Sequence, residues 1–128
     1  MNTPTGQIIE TLQQQREFFA SGQTLEIRFR KEMLRRLLNA MELWEEQLAG
    51  ALWKDLHKSR EEAIMTELSI VAGEIRNHLS HLRCWMKGHS VSTPLKMMPS
   101  RSRIISEPLG NALIISPWNY PVQLLLNP

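Results

Sequence analysis

Apolar residues recur at three- and four-residue steps along the chain as far as Met86, and beyond it that rhythm stops. Ile8, Leu12 and Phe19 are the spaced apolar residues of a first segment, predicting a helix over about 5–20 that Ser21-Gly22 stops. Leu34, Leu37, Leu38, Met41, Trp44, Leu48, Ala51 and Leu52 then draw one apolar stripe along a much longer helix. That helix is expected to start near Thr24, a good capping residue, and to run to about 53–56. Gly50 lies inside it at a cost of about 1 kcal/mol relative to alanine, too little to end a packed helix. Lys54-Asp55-Leu56-His57-Lys58 is the exit. Ser59-Arg60-Glu61-Glu62 has the spacing of a capping box, with Ser59 accepting from the Glu62 amide and Glu62 reaching back. Ile64, Leu68, Val71, Ile75, Leu79, Leu82 and Met86 form the second long stripe, closed by Lys87-Gly88. Two long helices joined by a few residues are expected to pack antiparallel.

From His89 to Ser102 the texture turns to Ser, Thr, Pro and Met, which predicts a connecting arm. Arg103-Ile104-Ile105-Ser106 is a strand candidate, Glu107-Pro108-Leu109-Gly110 carries Pro and Gly where a type I turn favours them, and Ala112–Ile115 is a short apolar run. Together they predict a β-hairpin near residues 102–116, with Ala112–Ile115 as a buried strand. Pro117 and Pro121 forbid regular continuation and push the residues before them towards extended geometry. Trp118, Asn119 and Tyr120 are therefore expected on a stiff bend just past a strand's carboxyl end, a place where α/β proteins tend to set binding groups. The division expected is a helical layer and arm over 1–100, then the hairpin and the start of a second unit over 101–128. Val122-Gln123-Leu124-Leu125-Leu126-Asn127-Pro128 is an apolar segment where a polar tail is usual, so the chain is expected to be the front piece of something longer.

Composition narrows the class without changing that picture. Hydrophobic content of 42% and charged content of 22% over 128 residues are ordinary values for one modest globular domain. A net charge of +2 is too small to demand a polyanionic partner. Cys84 is the only cysteine, so no intramolecular disulfide can form, which fits a reducing compartment. The first residues do not read as a signal peptide, and no apolar run approaches the ~20 residues of a membrane span. A soluble, cytoplasmic protein is the expectation.

Several residues carry candidate chemistry. His78, His81 and Cys84 share one helix at three-residue spacing, but the step from 78 to 84 turns the last side chain ~120° from the first. A polar flank with a packed cysteine is therefore the better reading than a metal site, and a mid-helix thiol is a poor nucleophile. Arg28, Arg30, Lys31, Arg35 and Arg36 are interleaved with Glu26 and Glu32 and followed by Glu42, Glu45 and Glu46, a solvated face rather than a nucleic-acid surface. Trp44, Trp53 and Trp85 fall among the helical stripes and read as core or interface anchors. Asn119 has two readings: a buried amide donating to a developing oxyanion, or a side chain that closes its own turn. Spacing alone slightly favours the turn.

Glu107-Pro108-Leu109-Gly110 followed by Ile115-Ser116-Pro117-Trp118-Asn119-Tyr120-Pro121 resembles the aldehyde dehydrogenase superfamily. The helix ending Ala51-Leu52-Trp53-Lys54-Asp55-Leu56-His57-Lys58, and the tyrosine after Trp-Asn, resemble its class 3, fatty-aldehyde-type branch; the likeness spans about 24–128. It implies a parent with a three-layer α/β fold, of which this chain is the amino-terminal, mostly α-helical part. It also implies oxidation of an aldehyde to a carboxylate with NAD or NADP, through a cysteine thiohemiacetal and thioester. By that resemblance Asn119 is the oxyanion donor, Ile115, Ser116, Pro117 and Trp118 line the cofactor cleft, and Tyr120 lies beside the aldehyde pocket. The resemblance places the nucleophilic cysteine, the glutamate base, the ribose-binding lysine and the phosphate-side glycine turn after Pro128, so the chain alone is expected to be inactive. A homodimeric parent is implied, and self-association of the isolated chain through its uncovered apolar stripes is expected. The competing class is a stand-alone helical interaction module, which leaves the proline-bounded bend without a purpose.

Overall fold

The computed structural model describes residues 4–128. Helix α1 (Thr5–Ala20) has the expected bounds but buries none of its residues. A short 3-10 turn, Gln23–Leu25, then takes the place assigned to the start of the second helix. Helix α2 begins instead at Ile27 and runs to Leu43, with Glu26 as an N-cap that makes no side-chain capping bond. The Thr24 hydroxyl is buried without a hydrogen-bond partner, so it is not the expected cap.

The long second helix is bent. Trp44 leaves helical geometry (φ −104°, ψ 13°), and α3 (Glu45–Leu56) continues from it through Gly50. The bend divides one sequence stripe between two clusters. Met41 joins Leu68, Val71 and Ile75, whereas Ala49 and Leu52 join Ala63. His57 ends α3 in the left-handed region, which lets the chain reverse.

The third helix starts where its sequence says. The Glu62 amide donates to Ser59 Oγ at 3.1 Å, starting α4 (Arg60–Ala63). A π-helical turn over Ile64–Leu68 follows, and α5 (Ser69–Trp85) completes the rod. Glu42 faces Arg76, while Arg28 near the start of α2 shares a surface depression with Arg83 near the end of α5, so α2 and α5 run antiparallel as expected. The tryptophans are not core. Trp44, Trp53 and Trp85 are each about half exposed, and Trp85 lies against the rings of His78 and His81 instead.

The two-stranded antiparallel sheet is present with a different partner. Strand β2 (Ser102–Ile104) pairs with β1 (His89–Val91), in the register His89↔Ile104, Ser90↔Arg103 and Val91↔Ser102. The predicted connecting arm thus supplies one strand. Gly88 is needed there, because a Cβ on it would lie 2.8 Å from the Ile104 carbonyl oxygen. Residues 105–117 have no regular structure, and 107–110 do not close as a turn. Gly110 (φ 101°) bends this arm against the Phe19 ring, a backbone conformation other residues rarely adopt. Ala112–Ile115 is therefore neither paired nor buried, with Leu113 85% and Ile115 84% exposed. A strand is held by a ladder, and the other two extended segments are already paired with each other.

Candidate functional site

The bend ahead of the last helix is held on the helical layer by two charged residues. Helix α6 (Pro121–Leu126) starts with proline at its first position, where the missing N–H is no loss. Val122 packs against both apolar clusters, so α6 covers the junction that the Trp44 bend creates. The amides of Val122 and Gln123 have no acceptor within their own helix. Both donate to Glu67 Oε2, at 2.8 and 3.3 Å. A carboxylate from another helix therefore does the work of an N-terminal cap.

Glu67 is wholly buried, and its second oxygen accepts from Lys58 Nζ at 2.6 Å. Lys58, 8% exposed, also donates to the Asn119 carbonyl at 2.7 Å. Its ammonium lies 3.8 Å from the centre of the Tyr120 ring, a cation–π contact. Lys58 thus ties Glu67, on the next helix, to the Asn119-Tyr120 bend, which lies 61 residues away in sequence.

The residues expected at the site fall into two groups. Asn119 and Tyr120 are drawn in by their backbone and ring, yet the Asn119 residue is exposed rather than buried. Neither end of its amide makes a hydrogen bond among the described residues, so it does not close its own turn. Ser116 is half-buried, whereas Ile115, Pro117 and Trp118 face outward, Trp118 at 87% exposure. These four form an open edge continuous with the unpaired 112–115 segment.

Elsewhere the sequence candidates are dispersed. The Nδ1 atoms of His78 and His81 lie 3.0 and 2.9 Å from the carbonyls four residues earlier, and Cys84 is exposed. Among the described residues no three His, Cys, Asp or Glu side chains are placed to hold a metal ion. No helix among them is long and apolar enough to cross a membrane.

Lys58 and Glu67 were not singled out in the sequence. A signal for Glu67 existed: it lies three residues after Ile64 and four before Val71, a carboxylate on an apolar stripe. No comparable signal marks Lys58, which sits at a basic helix exit.

The sequence profile of the aldehyde dehydrogenase family matches residues 3–127. The chain is 42% identical over 111 residues to a 4,4'-diaponeurosporen-aldehyde dehydrogenase of Staphylococcus aureus, covering 87% of this chain and 24% of that protein. It is 44% identical over 119 residues to aldehyde dehydrogenase family 3 member B1 of Bos taurus, covering 93% of this chain and 25% of that protein. A solved structure described as the substrate-bound state of Staphylococcus aureus AldH superposes with a TM-score of 0.90 at 39% identity. That match covers 98% of this chain and 27% of the other. The chain therefore spans about a quarter of the length of these relatives.

Proposed function

Because the chain belongs to the aldehyde dehydrogenase family, we propose that it forms the amino-terminal part of an NAD(P)-dependent enzyme that oxidises an aldehyde to a carboxylate. The observation that carries this reading is the geometry of the Pro117–Pro121 bend. Its backbone is tied to buried charge through the Asn119 carbonyl, while the Asn119 amide is left free to donate. A side-chain N–H held in that way can stabilise negative charge developing on a substrate oxygen; in acyl chemistry one such donor contributes roughly 3–4 kcal/mol.

The other residues take lesser parts. Ile115, Ser116, Pro117 and Trp118 fit one wall of a dinucleotide cleft, since an unpaired extended edge offers open backbone groups and an uncovered indole. They bring no cation for its phosphates. When bound, the cofactor supplies a hydride acceptor. Tyr120 lies beside the aldehyde, with one contact of its ring taken by Lys58. The aldehyde, the cofactor and a dimeric state belong to this reading of the parent, and the isolated 128-residue chain is read as inactive.

The test is an assay of the gene product that carries this chain, with a series of aldehydes and both nicotinamide cofactors, beside the same assay of the 128-residue polypeptide. Reduction of cofactor by the gene product alone is expected, with an Asn119→Ala variant lowered about 10²–10³-fold in kcat. No aldehyde-dependent reduction by the gene product, or full activity in the short chain, would overturn the proposal.

A further inference from the structure

We propose that Lys58 and Glu67 are positioning residues for Asn119, the buried pair setting where the bend sits and so where the Asn119 amide points. This rests on Asn119 acting as the oxyanion donor and adds what holds it there. The contacts divide the labour. Glu67 Oε1 is taken by Lys58 and Oε2 by the amides of Val122 and Gln123, while Lys58 reaches on to the Asn119 carbonyl. The bend is therefore fixed at Asn119, before Tyr120, and at Val122, after Pro121, to partners 61 and 55 residues away in sequence.

Stability alone is a weak reason for this arrangement. A buried ion pair contributes little over a well-packed apolar pair of the same volume, because both charges must be stripped of water. What an apolar pair cannot do is set direction, and hydrogen bonds to a carbonyl and two amides do set it. The helix is also irregular at this point. Glu67 falls within the π turn Ile64–Leu68, and such turns concentrate at functional sites, where they re-aim a side chain. Between the fixed Asn119 carbonyl and its side-chain donor lie only ψ and the two side-chain torsions. An error of about 1 Å in such a group can lower a rate about 10²-fold.

The experiment uses the paired substitution Lys58→Met with Glu67→Gln, which removes both charges without stranding either and keeps an acceptor for the α6 amides. In the gene product, kcat should fall about 10²-fold with the aldehyde KM within about twofold. Placed on Asn119→Ala, the same pair should cause no further loss, because the group it positions is already gone. Lys58→Arg, which can still donate to both acceptors, should recover most of the rate. In the 128-residue chain, backbone order parameters at Asn119 and Tyr120 should drop from about 0.85 to below about 0.6, with Val71 and Ile75 unchanged. Unchanged order at 119–120, or losses that multiply with Asn119→Ala, would overturn the inference while leaving the functional proposal standing. A gene product inert towards aldehydes would end both.

Discussion

Lys58 and Arg60 flank Ser59, and each meets a glutamate, yet the two pairs lie in different surroundings. Arg60 reaches Glu45 at 3.1 Å and also contacts Glu46, with all three side chains substantially exposed. The hydrogen bond from Arg60, joined by its charge, holds the Glu46 carboxyl below the usual carboxylate range and raises Arg60 above its own. Lys58 and Glu67 are closed off from water and bonded to backbone groups of the bend. The comparison teaches that burial, not opposite charge, decides what an ion pair does. In water the partners can separate at little cost, while inside the protein each becomes necessary to the other.

Three neighbouring substitutions grade this difference. Lys58→Ala has the largest expected effect, because it leaves the Glu67 charge buried without its partner. Urea unfolding should show a loss of about 3–5 kcal/mol. A loss no larger than that of a surface substitution would break the comparison. Ser59→Ala comes next. It removes the acceptor for the Glu62 amide at the start of α4 and should lower stability by about 1 kcal/mol in the same assay.

Arg60→Ala should have the smallest effect, a slight fall in the urea midpoint near neutral pH. Its clearer readout is Glu46. The carboxyl should titrate back towards the ordinary range when followed by NMR. The sign follows from the lowered folded-state value. Whatever Glu46 contributes is present above the unfolded carboxylate range and is lost as pH falls through that lowered value. The gap between the parent chain and Arg60→Ala should therefore close in acid, and salt should narrow it too. A gap that widens on acidification would contradict the assignment.

The helical layer was largely legible because its signals are local. The Ser59 cap, the Ser21-Gly22 stop and the stripe from Ile64 to Met86 each act within a few residues, and each appears where expected. The errors lie where the outcome depends on distant partners. Met41 and Leu52 belong to one stripe in sequence, but the bend at Trp44 assigns them to different clusters. Strand β2 was expected to turn back onto Ala112–Ile115 and found β1 instead, because pairing depends on which edge is free.

The proline-bounded bend divides in the same way. Pro117 and Pro121 restrict the backbone by their own rings, so residue order alone determined a stiff turn carrying Trp118, Asn119 and Tyr120. It does not announce α6, since the same rule has Pro121 forbid regular continuation; the helix starts there because a missing N–H is no loss at its first position. Where the turn rests, and which groups of Asn119 are tied or free, only the tertiary structure decided. Lys58 and Glu67 meet it across 61 and 55 residues, and a contact of that separation leaves no periodic mark on the chain that forms it.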